Sequence, residues 1–533
     1  MGIYVNPGSE SFQLAHNSDI YIDKTGLIEI LNRSIGKENH FFAVSRARRF
    51  GKSMAAGMID AYYSRGCDSE DLFSGYKIAG TQDYKTHLNK YNVLHFDTST
   101  FLNAARTPED VIPLMDSTLL TDLNREFPYL AENNPDNTPA ALSLIYEIEK
   151  IPFVVVVDEW DCIIRDEKDN EKLIIQYLKY LRGFFKTEES KKFLALGYIT
   201  GILPIKRFDG ESAMNNFIEF TMISPKQLAP YFGFSEEEVL ELHASEPVIS
   251  MDEIRRWYDG YVMKHITPNK ETEYLHIYNP NSIVRAFTDG ECESYWKNTG
   301  AFAGLNNYIA INMDGLKDTV LRLLAGETCH VDTSGFQNDL TNFKSKDDVL
   351  TALIHMGYLG YDPRTEEAFI PNEEVREVFS SAIKSGDWTE IAEALRDSDD
   401  LLKATWAGDE IKVAMTIEKS HQDYTSILEY HDENSLALAI MMSYYTARKH
   451  YMIIREFPSG KGFADIAFIP RKGSDKPAMI VELKWNKDAD TAIDQINDRR
   501  YAGKLKDYES DILLVGITYD KEKKKYGCRI EKP

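Results

Sequence analysis

The chain has 533 residues, 43% of them hydrophobic and 12% aromatic, and a formal charge of -24 at neutral pH. That length exceeds what one core organises, so about three domains are expected, and the composition is that of a packed globular protein rather than a disordered one. The negative charge argues against a protein that coats nucleic acid non-specifically, which needs concentrated Lys and Arg, but leaves room for an enzyme with local basic residues. No apolar run approaches the roughly 20 residues needed to cross a bilayer. The N-terminal sequence has no signal-peptide pattern, so a cytoplasmic protein with no membrane partner is expected. Cys67, Cys162, Cys292, Cys329 and Cys528 are widely scattered without metal-ligand spacing, and are read as reduced and semi-buried.

In chain order, short apolar runs at His40–Val44, Asn92–Asp97, Phe153–Val157, Phe193–Thr200 and Ile218–Ile223 alternate with helical patterns. This is the signature of a parallel α/β sheet. The continuous β-branched run at Phe153–Val157 suits a strand covered on both faces.

Between the first of these strands and the helix after it stands Ser45-Arg46-Ala47-Arg48-Arg49-Phe50-Gly51-Lys52-Ser53. A phosphate-binding loop occupies this position. Backbone N–H groups cradle phosphate, Lys52 would reach the β- and γ-phosphates, and Ser53 would ligate Mg2+. The pattern GxxxxGK[ST] asks for Gly where this chain has Arg46; a basic surface turn is the alternative. FVVVVDEWD places Asp158 and Glu159 at the end of a buried strand, where Asp158 would hold the Mg2+ shell and Glu159 would orient or deprotonate the attacking water. Asp97 and Thr200 end two further strands at the same sheet edge, with Thr200 placed to sense the γ-phosphate. The expected nucleotide-binding set is Arg49, Gly51, Lys52, Ser53, Asp158 and Thr200, with Glu159 catalytic.

From Ser224 to Lys384 the pattern is mostly helical. Asp347–Phe379 reads helix, hairpin, helix, which suits a winged-helix-like unit, and its acidic last helix favours a packing lid over a DNA reader. A polar stretch follows. Then come a helix (Ile427–Arg448), strands at Met452–Phe457, Phe463–Pro470 and Ala478–Trp485, a helix (Ala489–Tyr501) and a strand (Asp511–Thr518). In MIVELKW the alternation of a strand puts Glu482 and Lys484 on one face, with Val481, Leu483 and Trp485 on the other. Asp465, in GFADIAFIP, would meet them if the two strands pair antiparallel. Asp465, Glu482 and the Leu483 carbonyl form a hard oxygen set for Mg2+ or Mn2+, and Lys484 would orient the water or stabilise the transition state. The competing reading is an ordinary surface strand alternating Glu and Lys. Glu433, on the preceding helix, and Gln495, on the following one, are accessory candidates.

The ordered succession YIDKTGLI, SRARRFGKS, VVVVDEWD, YITGILPI, YFGFSEEEV, RRWYDGY and IYNPNSI, from about Tyr4 to Ile283, resembles the AAA-ATPase-like family. In that family the loop typically reads RPRRFGKS; the Arg is usual, and Ala47 stands here for Pro. The resemblance implies a P-loop parallel-sheet ATPase core at residues 1–223, a helical, winged-helix-like lid at 224–384, a connector at 385–425 and, at 426–533, a restriction-endonuclease-like mixed α/β domain of the PD-(D/E)XK superfamily. Asp465, Glu482 and Lys484 match that superfamily's catalytic motif; Glu433 and Gln495 match accessory positions. The implied cofactors are ATP and Mg2+ or Mn2+, the implied partner is nucleic acid, with DNA the expected polymer, and a homo-oligomer fits the class. The reading is an ATP-binding, nucleotide-regulated nuclease. The alternatives are an ATPase switch whose nuclease-like domain only binds nucleic acid or a protein, and an active nuclease with a static nucleotide site.

Overall fold

The computed structural model describes every residue except 1, 206, 209–210, 213, 297–300, 312, 314, 339, 341–342, 386–388, 426–432, 460–461, 472–473, 486–490, 494–511, 521–524 and 533, and a few further side chains, Glu433 and Trp485 among them. The chain is α/β and divides into two compact units: Met1–Asn298 with His330–Val375, and Thr299–Cys329 with Arg376–Pro533.

The first unit is built on strands β1 (Phe41–Ser45), β2 (Asn92–Asp97), β3 (Phe153–Asp158), β4 (Leu194–Gly201) and β5 (Ile218–Phe220), in the order β2-β3-β4-β1-β5 with every pair parallel. All residues of β1, β3 and β4 are buried. β3 shows why. Phe153, Val155 and Val157 enter one core cluster, whereas Val154 and Val156 enter the cluster on the opposite face. Helix α1 (Lys52–Tyr63) covers the second face, and α2 (Glu171–Phe185) packs its Leu173, Tyr177, Leu181 and Phe184 into the first. The last strand is shorter than expected, ending at Phe220 because the chain turns at Thr221–Ser224, where Thr221 N–H bonds the Ser224 carbonyl.

A small antiparallel sheet joins β6 (Phe234–Ser235), β7 (Tyr261–Ile266) and β8 (Thr272–Tyr278). Helix α3 (Pro280–Asp289) follows, capped by Asn279, whose side chain accepts from Asn281 N and Ser282 N. Later come α4 (Lys346–His355), a hairpin of β9 (Gly360–Asp362) with β10 (Glu367–Phe369), and α5 (Glu373–Ser385). This is the helix–hairpin–helix order of a winged-helix-like element.

In the second unit α6 (Thr389–Ala407), α7 (Glu410–Thr425) and α8 (Glu433–Ser443) precede a five-stranded sheet of β11 (Tyr451–Ser459), β12 (Gly462–Pro470), β13 (Ala478–Trp485), β14 (Ile512–Asp520) and β15 (Lys525–Glu531), ordered β11-β12-β13-β14-β15. Only β13 and β14 pair parallel. The polar stretch after residue 385 is therefore largely helical: α7 ties to the sheet edge through Ile530 N–H on Glu410 Oε1 at 2.9 Å. Residues 299–329 belong to this unit although they fall inside the stretch read as lid. Arg376 Nη1 donates to the Leu324 carbonyl at 2.7 Å, Arg448 to the Ala325 carbonyl, and Arg455 pairs with Glu327.

Candidate active sites

The first site forms where β1 runs into α1. Gly51 takes a left-handed conformation at φ 85°, with nothing near a would-be Cβ, so Gly is required there by backbone conformation and not by space. Arg49, also left-handed at φ 69°, bends the loop before it. The α1 N-terminus thus opens to the loop, a ready anion site. Lys52 is buried and its Nζ donates to the Arg46 and Ala47 carbonyls at 3.2 and 3.1 Å, with Glu159 Oε1 at 4.0 Å. Burial lowers its pKa while Glu159 and Asp158 oppose that shift.

β3 delivers Asp158, level with Asp97 at the end of β2 and one strand removed from β1, since β4 intervenes. Burial raises the Asp158 pKa; a hydrogen bond from Ser53 and the nearby His95 and Lys52 pull it down. Ser53 therefore stands near Asp158, within reach of a shared cation. Glu159 turns left-handed at φ 47°. Burial likewise raises its pKa against the pull of Lys52. Arg165 grips this corner, its Nη2 2.8 Å from Glu159 Oε2 and its Nε 3.0 Å from Asp161 Oδ2.

A cavity of about 840 Å³ is lined by Arg49, Gly51, Lys52, Ser53, Glu159 and Arg165 on its polar side, and by apolar and aromatic side chains such as Tyr21, Met58 and Tyr231 elsewhere; Asp158 is buried and not among its lining residues. Its size and apolar body suit a nucleotide base and sugar. Thr200 is buried on β4, its hydroxyl without a protein partner, but it is not among the lining residues.

The dispersed motifs assemble around this loop. Lys24 bonds the Pro230 carbonyl at 2.8 Å and Glu238 Oε1 at 2.7 Å; Gly233 N–H bonds the Phe50 carbonyl at 3.1 Å; Asn279 Nδ2 bonds the Arg48 carbonyl at 3.2 Å. Arg46, in the place of the usual first Gly, points away from the cavity. It is fully buried, and its Nη1 bonds the Ser45 and Phe220 carbonyls at 2.9 and 2.8 Å.

The second site lies on the C-terminal sheet. β12 and β13 pair antiparallel, Ile466 opposite Val481, which brings Asp465 level with Glu482. Leu483 N–H donates to Asp465 Oδ2 at 2.6 Å. Lys484 Nζ donates to Glu482 Oε1 at 3.0 Å. Burial and then Asp465 raise the Glu482 pKa, and Lys484 opposes both. Glu482 Oε2 is buried without a hydrogen-bond partner. A buried carboxylate oxygen with no donor, beside a second carboxylate, is costly unless a cation compensates it. Asp465, Glu482 and the Leu483 carbonyl therefore fit a divalent cation. Among the described residues no group of three or more His, Cys, Asp or Glu forms a larger metal cluster.

Residues 8–209 match the family model described as "Predicted AAA-ATPase", and residues 432–528 match that of the PD-(D/E)XK nuclease superfamily. The chain carries an AAA-ATPase-like domain and a PD-(D/E)XK nuclease superfamily domain. A protein of Azotobacter chroococcum mcd 1, described as an uncharacterized protein in the vnfD 5' region, is 26% identical over 300 residues, covering 55% of this chain and 53% of that protein. The match thus spans about half of that relative's length.

Within the nuclease superfamily domain, Asp465, Glu482 and Lys484 come together. Glu433 begins α8, but its side chain lies outside the described residues, as does all of Gln495. Within the AAA-ATPase-like domain, sequence reasoning did not find Arg165. Its signal in the sequence is a basic residue within the short helix that directly follows the DEWD motif. No helix among the described residues is long and apolar enough to cross a membrane.

Proposed function

We propose that this chain is a divalent-metal-dependent nuclease that cuts nucleic-acid phosphodiester bonds, DNA foremost, and that ATP bound at the N-terminal site regulates the cut. The observation that carries the reading is the Asp465–Glu482–Lys484 cluster, in which Glu482 Oε2 is buried without a partner while Glu482 Oε1 accepts from the Lys484 ammonium at 3.0 Å. When bound, a divalent cation at Asp465, Glu482 and the Leu483 carbonyl would acidify water and neutralise the scissile phosphate. Asp465 is held for that task by the Leu483 N–H. Lys484, now paired with Glu482, is free to shift its ammonium to a water or a phosphate oxygen as negative charge develops there.

At the N-terminal site Lys52 would exchange its loop carbonyls for phosphate oxygens, Ser53 and Asp158 would hold the cation that accompanies ATP, and Glu159 would orient the attacking water. The test of the nuclease reading is degradation of single- and double-stranded DNA and of RNA with Mg2+ or Mn2+. Wild type is expected to cleave, and Lys484→Ala to lose roughly a hundredfold or more of that rate. Equal cleavage by both would remove the assignment.

A further inference from the structure

Glu159 stands between two cations. Its Oε1 is 4.0 Å from Lys52 Nζ, and its Oε2 accepts from Arg165 Nη2 at 2.8 Å. The Lys52 side chain is only 5% exposed and that of Arg165 only 11%, and Lys52 feels the charge of Arg165 besides those of Glu159, Asp158 and Asp161. All three side chains line the cavity beside Gly51 and Ser53. A single carboxylate thus neutralises two largely buried cations at the mouth of a loop and helix N-terminus suited to phosphate. A phosphoryl group, with its three terminal oxygens and greater charge, can replace that carboxylate in both contacts at once.

The contacts of Arg165 show which end of it is fixed. Its Nε is 3.0 Å from Asp161 Oδ2, close enough for an ion pair but without the alignment of a hydrogen bond. Asp161 is fully buried and anchored to the end of β4, its Oδ2 accepting from Ile202 N at 3.2 Å and Leu203 N at 2.9 Å. The stem of the arginine is therefore held by an acid that cannot move. At its tip, Nη2 reaches Glu159, whereas Nη1 makes no hydrogen bond among the described residues. A guanidinium fork with one arm spare, in a residue that lines the cavity, matches the paired oxygens of a phosphate.

We propose that Arg165 is a catalytic residue of the nucleotide site: the terminal phosphate of a nucleoside triphosphate displaces Glu159 from Lys52 and Arg165, Arg165 then holds its oxygens, and Glu159 is released to the attacking water. This assignment rests on the nucleotide-binding reading. Glu159 is in effect an internal competitor for the terminal phosphate, tied down until that phosphate arrives. A diphosphate lacks the group that reaches Arg165 and leaves the tie in place. In hydrolysis the water oxygen bonds to the terminal phosphorus as the bond to the bridging oxygen breaks. That bond's electron pair leaves with the diphosphate, Glu159 takes the water proton, and Arg165 offsets the charge on the transferring group.

The test uses the full chain in Mg2+, a fluorescent non-hydrolysable ATP analogue, the matching fluorescent ADP, and phosphate release from ATP. Arg165→Ala is expected to cut the ratio of triphosphate to diphosphate affinity about tenfold and to slow phosphate release at least about a hundredfold. Arg165→Lys recovers part of the affinity ratio but little of the rate, since it keeps the charge without the fork. Glu159→Gln, which removes the competing charge, tightens binding of the triphosphate analogue, and by a larger factor than in the Arg165→Ala background. If Glu159→Gln lowers the affinity ratio as much as Arg165→Ala, or Arg165→Ala weakens both nucleotides equally, the pair is a structural tie and the proposal is wrong. An Arg165→Ala variant that binds both nucleotides as wild type does also overturns it, and spares the nucleotide reading. A wild type that binds neither nucleotide overturns both.

Discussion

Arg46 sets the chemistry of its loop by leaving it. Where a P-loop ordinarily has glycine, this side chain dives under the sheet. Its guanidinium links the ends of β1 and β5 through the Ser45 and Phe220 carbonyls, its backbone N–H takes the Gly201 carbonyl of β4 at 3.0 Å, and the Phe232 ring lies 5.2 Å from it. Burial pushes its pKa down to about 9, still charged at neutral pH. Restoring the common pattern with Arg46→Gly should therefore harm the fold without improving the site. Two carbonyls lose their donor and a large buried side chain is removed, for a loss of about 1–3 kcal/mol. Urea denaturation reads that loss, and nucleotide titration reads the site. An equally stable variant that binds ATP more tightly would contradict this account. The sequence alone does not set Arg46 apart from Arg48 and Arg49, on the other side of Ala47, because only the strand ends it meets tell a buried tie from a phosphate contact.

At the scale of elements, α5 is fastened to α3 by a carboxyl group. Glu374 is buried, and its two oxygens accept from Ser282 Oγ at 2.9 Å each and from Tyr295 N at 3.0 Å. Burial raises its pKa to about 8; those hydrogen bonds and Arg49 oppose the shift. The folded state therefore keeps a proton that the unfolded chain releases near the ordinary glutamate value, so between about pH 4.5 and 8 stability falls as pH rises, by at most about 1.4 kcal/mol per pH unit from this group. Glu374→Gln should flatten that slope, and thermal melts at a series of pH values measure it. A variant whose melting temperature tracks wild type across the window would show that the carboxyl is ionised when folded. Such ties escape sequence reasoning: Ser282 and Glu374 are 92 residues apart and leave no periodicity. The strands were legible for the opposite reason. VVVV at β3 needs two buried faces and has them, and the Glu482–Lys484 alternation needs only the two-residue repeat of a strand. The meeting of Asp465 with Glu482 needed only that two adjacent strands pair antiparallel, as they do.

For the whole molecule, the question is whether the nucleotide site governs the other. The described residues of each site fall within one compact unit, so each chemistry can be removed separately. A ligand shifts an equilibrium only by its differential affinity for the two states. ATP regulation of cleavage therefore demands either that bound ATP itself favours the cutting state, or that turnover resets it. Glu159 separates the two. Its carboxylate holds Arg165 at 2.8 Å and stands 4.0 Å from Lys52, so Glu159→Gln removes the group that orients water while leaving Lys52 and Ser53 to bind phosphate. We expect Glu159→Gln to bind ATP, to release phosphate at least about a hundredfold more slowly, and to keep the ATP effect on cleavage, whereas Lys52→Ala loses both ATP binding and that effect. Single-turnover cleavage with and without ATP, beside phosphate release, reads all three quantities. An ATP effect abolished by Glu159→Gln would make turnover the control. Negligible phosphate release by wild type, unchanged in Glu159→Gln, would leave the nucleotide as a static ligand.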